Sequence, residues 1–112
     1  MKIHLHPEIF NQVASGVKTV EARVNEEKRQ RLRIGDIVTI LKRPDEIETL
    51  QVKVTNLHTF SNFTELVNHY TIKQLDSPNC TKEQYLALLS QFYSDKEIAK
   101  YGTVAIEFEL VK

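Results

Sequence analysis

The chain has 112 residues, room for one domain and little more. With 41% hydrophobic and 27% charged residues it has a globular composition, not a disordered one. Fifteen Lys plus Arg balance fifteen Asp plus Glu, which excludes holding DNA by bulk phosphate neutralisation but leaves room for a local basic patch.

The N-terminal run Met1 to Pro7 has no apolar core and no small-residue cleavage pattern, so no signal peptide is expected. No apolar run approaches the roughly 20 residues of a membrane span, and a cytoplasmic protein with no membrane partner is the default expectation. On that expectation the triplets Asn62-Phe63-Thr64 and Asn79-Cys80-Thr81 match the glycosylation pattern by chance. Residues 2–6 alternate in polarity and predict a short strand that Pro7 ends. From Pro7 to Ser15, Ile9, Phe10, Val13 and Ala14 recur at helical spacing, with Pro in the first turn and Gly16 just past the end.

Residues 18–24 alternate again, Val20, Ala22 and Val24 facing one way and Thr19, Glu21 and Arg23 the other. Asn25 is placed to cap a charged turn through Glu26, Glu27, Lys28 and Arg29, acids first and bases later as the helix dipole favours. Gly35-Asp36 reads as a turn into a strand over 37–41, Pro44-Asp45-Glu46 as a second turn, and 50–57 as a strand antiparallel to the preceding one. Asn62 with Glu65 opens a helix that buries Phe63, Leu66 and Val67. Thr81 with Gln84 forms a capping box before Tyr85, Leu86, Leu88, Leu89 and Phe92, a helix whose apolar residues are read as core. A final strand, Thr103 to Val111, points Val104, Ile106, Phe108 and Leu110 at the core and Ala105, Glu107 and Glu109 away from it. About five strands and three or four short helices that do not alternate regularly predict an α+β domain: a mostly antiparallel, curled sheet or small β-barrel flanked by helices.

Two stretches are candidates for function. Thr19, Glu21 and Arg23 set a hydroxyl, an anion and a cation on one strand face, which lines a cleft if the sheet curls and is otherwise a solvated face with a weak ion pair. Strand parity puts Lys18 opposite Glu21, so the two converge only if Lys18 lies in the loop after Gly16, before the pleat begins. Between residues 18 and 33, six cations (Lys18, Arg23, Lys28, Arg29, Arg31, Arg33) meet three acids, a local +3 suited to phosphate contacts or, alternatively, to a solvated helical turn. Tyr93 and Tyr101 are placed to stack a base or to pack against the last strand.

His4 and His6 share a strand face at i, i+2, but no third ligand follows and no metal or other cofactor is expected. His58 and His69 are isolated in sequence. The lone Cys80 permits no intrachain disulfide; it precedes a helix start, where the dipole favours a lowered thiol pKa, but with no His nearby it reads as passive. Glycine-rich phosphate loops, nucleophile elbows and zinc-hydrolase His pairs are absent.

The chain resembles the ASCH family over nearly its whole length. The likeness rests on Gly16-Val17-Lys18-Thr19-Val20-Glu21-Ala22-Arg23, on Ile34-Gly35-Asp36-Ile37-Val38, and on Tyr93-Ser94 followed by Tyr101-Gly102-Thr103-Val104-Ala105-Ile106. It implies a single PUA-like domain with a helix-lined cleft that recognises RNA or a modified nucleoside. Lys18 and Arg23 would contact phosphate or a carbonyl oxygen and Glu21 a base edge, with Thr19, Lys28, Arg29, Arg31, Tyr93 and Tyr101 completing the binding surface. Some small family members remove the acyl group from N4-acetylcytidine, using a lysine, a threonine nucleophile three residues on and a later glutamate. Here Lys18 matches the lysine, Glu21 stands at the nucleophile position, Thr19 is displaced by two residues, and no equivalent of the glutamate is assigned within Asp76 to Glu83. The implied alternatives are therefore a nucleoside amidohydrolase or ribonuclease using Lys18 and Glu21, and a protein-interaction module in transcription regulation.

Overall fold

A computed structural model describes residues 1–76 and 80–111. Asn79, of the second glycosylation-like triplet, and the stretch 77–79 of the Asp76–Glu83 region lie outside them. Pro7 separates β1 (Lys2–Leu5) from α1 (Pro7–Ala14), and Gly16, at φ 82°, turns the chain back toward β2 (Val20–Val24). Lys18 and Thr19 precede the ladder rather than starting it. The turn α2 (Glu27–Gln30) follows with Glu26 at its N-cap, so Asn25 stands one residue too early to cap it, its N–H donated to Gly102 O across the sheet.

The middle of the chain forms β3 (Ile37–Lys42) and the long β4 (Thr49–Phe60). Asn62 caps α3 (Phe63–His69) through its side-chain oxygen, and α4 (Ile72–Leu75) and α5 (Lys82–Phe92) each begin on a Thr/Gln capping box. The helix α6 (Asp95–Tyr101) precedes β5 (Thr103–Leu110). Neither α4 nor α6 was expected, although α6 carries the same capping signature in Ser94 and Glu97.

The five strands form one curled, mixed sheet in the order β1-β3-β4-β5-β2, with β1–β3 parallel and the other three pairings antiparallel. The fold is therefore α+β. Strand β4 pairs with β3 through residues 49–53 and with β5 through 52–60, and the register breaks between Val54 and Asn56. An extra residue at such a break bends a strand and increases its twist, which here curls the sheet into a half-barrel.

Both faces of the sheet are covered. On the inner face α1 lays Phe10 and Val13 against Ile3, Leu5, Val38, Ile40, Val54, Ile106 and Phe108. On the outer face α3, α4 and α5 pack Phe63, Leu66, Val67, Leu75, Tyr85 and Leu89 against Val20, Ala22, Val24 and Ala105. Ala105 is thus fully buried, contrary to the one-faced reading of the last strand, because helices occupy the face that alternation had left to solvent. Among the described residues no helix is long and apolar enough to cross a membrane.

Candidate functional site

Closing a sheet removes its edges; this one stops short, and β1 and β2, at opposite ends of the strand order, remain as two edges. A cleft of about 400 Å³ opens along that seam, with His4 and His6 on the β1 side, Glu21, Ala22 and Arg23 on the β2 side, and α5 as its third wall. Hydrogen bonds from Phe108 N to Thr19 O and from Asn25 N to Gly102 O fix the phase of the β2–β5 ladder. Odd-numbered residues of β2 bond to β5, so the N–H and C=O of Ala22 point the other way, into the seam.

Glu21 and Arg23 share the inner face with Ile106 and Val104, their register partners. Glu21 is buried and both of its oxygens are engaged. Lys18 Nζ stands 3.1 Å from Oε1, and Arg23 donates to Oε2 from Nε at 3.0 Å and Nη2 at 2.7 Å. Lys18 is 2% exposed and also donates to Val20 O and Leu75 O, each at 2.5 Å. An ammonium has three hydrogens, and these three acceptors use them all.

Burial alone pushes the Glu21 carboxyl up, but Lys18 and Arg23 outweigh that cost and hold it at about 2, from 4.5. Glu21 in turn holds the Arg23 guanidinium well above its usual value, with the Tyr93 hydroxyl as its next polar neighbour. Arg23 remains partly exposed and lines the cleft. The centre is ionic and buried at its base, and cationic where Arg23 meets the opening.

The helical wall departs from the sequence reading. Leu88 is 40% and Phe92 65% exposed, and both line the cleft. Spacing of i, i+4 puts them on one stripe of α5 while Tyr85 and Leu89 take the buried stripe, so two residues read as core are surface. Burial, reinforced by Glu21 and Asp76, pushes the Tyr85 hydroxyl well above its usual pKa and keeps it a neutral donor. Asp76, at the end of α4, is buried in the same wall. Cys80 is affected in the direction opposite to a helix-dipole effect: burial and then Asp76 push its thiol up. Arg43 joins the cleft from the β3 side, and His4 Nδ1 meets Glu46 Oε1 at 2.7 Å.

The structure brings Lys18, Glu21, Arg23 and Tyr93 together in the cleft. Lys28 and Arg29 line an adjoining hollow that shares Arg23 with it. The remaining candidates lie elsewhere. Thr19 is at the α1–β5 junction, Arg31 beside Leu32 and Ile37, and Tyr101 beside Asn25 and Phe60 with Lys100 over its ring at 5.0 Å. His58 and His69, isolated in sequence, meet edge to face at 4.6 Å outside the cleft. Arg43, Asp76, Ala22 and Phe92 were not singled out for function; only the closing of the seam gathers them.

The ASCH domain family matches residues 3–112. The chain belongs to that family. It is also similar to hypothetical protein PH0355, a crystal structure with 28% identity and a TM-score of 0.82 that covers 98% of this chain and 97% of the other. The solution structure of protein PF0455 from Pyrococcus furiosus shares the fold at 22% identity and a TM-score of 0.71, covering 100% and 99%. Comparison with curated proteins gave no match.

Proposed function

We propose that this ASCH domain is a recognition module for RNA or a nucleotide-like ligand, seated in the seam between β1 and β2. The observation that carries the reading is the meeting of a fixed, partly exposed Arg23 with the exposed Leu88–Phe92 stripe of α5 in one cleft of about 400 Å³. That volume is within the usual range for small-molecule sites. Phe92 offers an exposed ring on which a base stacks, worth about 1–3 kcal/mol per base, while the Tyr93 ring packs against Phe63 at 5.5 Å and borders the cleft. Ala22 offers a backbone donor and acceptor for a base edge, a role assigned to Glu21 on sequence grounds. Lys18 and Glu21 hold Arg23 and the cleft wall in place, and Arg23 makes the ligand contact.

Filter binding of short single-stranded RNAs at two salt concentrations tests this. Binding is expected at low salt, weaker at high salt through counterion release, and weaker again in Arg23→Gln. No binding at low salt, or binding indifferent to Arg23→Gln in a folded variant, overturns the reading.

Hydrolysis built on Lys18 and Glu21 is less well supported. A carboxylate held at about 2 with both oxygens engaged is a weak general base near neutral pH, and Lys18 has no hydrogen to spare. Consumption of N4-acetylcytidine or of a structured RNA by the purified protein would decide for an enzyme.

A further inference from the structure

Beside the cleft, and sharing His4, Arg23 and Arg43 with it, lies a second hollow of about 460 Å³. Five of its side chains are full cations, Lys2, Arg23, Lys28, Arg29 and Arg43, and among the described residues lining it there is no carboxylate. A concavity lined by one sign of charge repels itself when empty and concentrates counter-ions. Arg29 makes the case specific. It is only 8% exposed, and its Nε is buried without a hydrogen-bond partner among the described residues. Glu26 Oε1 is 4.0 Å from that nitrogen, beyond hydrogen-bond reach, and Nη1 rests 3.0 Å from the Met1 sulfur, a weak acceptor. Burial and the neighbouring Arg23 charge both disfavour the charged form of Arg29, which an anion in the hollow would reverse.

We propose that this hollow is a phosphate subsite, so that the ligand of the cleft carries a phosphate next to its base. The inference rests on the nucleotide reading above and narrows it. With a base against α5, its phosphate lies over Arg29 and Arg43, whose planar guanidinium groups suit bidentate contact with phosphate oxygens. A neutral nucleoside fills the cleft and leaves the hollow empty. The phosphate is either the terminal monoester of a nucleotide or a diester within a strand, and the two present the same oxygens to the arginines.

Calorimetric titration with inorganic phosphate, with nucleosides, with their 5′- and 3′-monophosphates and with dinucleoside monophosphates tests it on the wild type, Arg29→Met and Arg43→Gln. Monophosphates are expected to bind about tenfold or more tighter than their nucleosides at low salt, and both variants to lose that advantage, Arg29→Met, which lies outside the cleft, while binding nucleosides as before. Inorganic phosphate is expected to compete with nucleotides and not with nucleosides. A dinucleotide exceeding both monophosphates identifies a strand diester, and the reverse a terminal monoester. Removing the Arg29 charge, whose nearest carboxylate is 4.0 Å away, should not unfold the protein, and Arg43→Gln tests the phosphate advantage at a second residue. Equal affinity for nucleosides and nucleotides, or a phosphate advantage untouched by both variants, overturns the subsite and leaves the cleft reading standing. Inorganic phosphate binding weakened by the variants, with nucleosides and nucleotides adding nothing, keeps the subsite and overturns the cleft reading. No binding of any probe overturns both.

Discussion

Lys18 Nζ stands 3.1 Å from Glu21 Oε1, although a strand running through both residues would send their side chains to opposite faces. The ladder begins only at Val20, so Lys18 belongs to the turn after Gly16 and folds back under β2. The same ammonium donates to Leu75 O at the end of α4, 57 positions away in the chain. One buried cation therefore ties the strand that carries Arg23 to the helical wall opposite it. On the proposed reading Lys18 acts on a ligand through Arg23, by fixing where the guanidinium stands.

Substitution Lys18→Met removes that tie and leaves the Glu21 carboxylate buried with half of its compensation. Breaking a buried ion pair from one side costs about 3–5 kcal/mol, and urea unfolding should show a loss of that order. The double variant Lys18→Met/Glu21→Gln should recover a good part of it, because no uncompensated anion remains. A single variant as stable as the wild type would show that the ionic centre contributes little to the fold.

Acid should weaken the protein through Glu21. The carboxyl titrates at about 2 in the folded state and at 4.5 otherwise. A depressed folded-state pKa contributes stability that is fully present above 4.5 and is lost as pH falls from 4.5 toward 2. The shift corresponds to roughly 3 kcal/mol between those limits. Unfolding free energies at about pH 6, 4 and 2.5 should fall for the wild type and fall much less for Glu21→Gln. Equal slopes would mean that the acid sensitivity originates in other carboxylates.

Local physics made much of the fold legible in the sequence, and the site only half so. The Thr81–Gln84 box, the alternation of 37–41 and 50–57, and the condition for Lys18 to meet Glu21 all depend on neighbours a few residues apart, and each is found in the structure. The helix α6 was missed despite Ser94 and Glu97 because none of its residues is fully buried and its apolar face is only Ile98 and Tyr101, partly buried against the outer core. Leu88 and Phe92 were misread for the converse reason: helical spacing says which residues share a face, not what covers it. Arg43, Asp76 and the contact between His58 and His69 depend on how the sheet curls, which is set by the register break after Val54 and by pairings between distant strands.

Gly102 is the glycine whose replacement should cost most. It lies at φ 68° and ψ −165°, and a Cβ there would stand 2.9 Å from Phe60 O, a backbone atom that cannot swing aside. Its own carbonyl accepts from Asn25 N, so displacing it also disturbs the start of the β2–β5 ladder. Backbone strain of this kind costs about 1–3 kcal/mol before the steric clash is added. Gly102→Ala should lower the urea midpoint accordingly, whereas Gly35→Ala, at φ 96° with open space around it, should show the conformational cost alone. Equal losses in the two variants would mean that the approach to Phe60 is relieved by small shifts.

Phe92 separates ligand surface from core most cleanly. At 65% exposed it contributes little to packing, so Phe92→Ala should leave stability within about 0.5 kcal/mol of the wild type. Leu89, three residues earlier and 6% exposed, should lose about 2–5 kcal/mol on the same truncation. Binding should follow the opposite order. With one base stacked on the ring, Phe92→Ala should weaken nucleotide or short-RNA binding by about 1–3 kcal/mol, roughly 5- to 150-fold. Nucleotide affinity unchanged in a fully folded Phe92→Ala would remove the exposed stripe of α5 from the recognition surface and leave Arg23 and the Ala22 backbone to carry the contact.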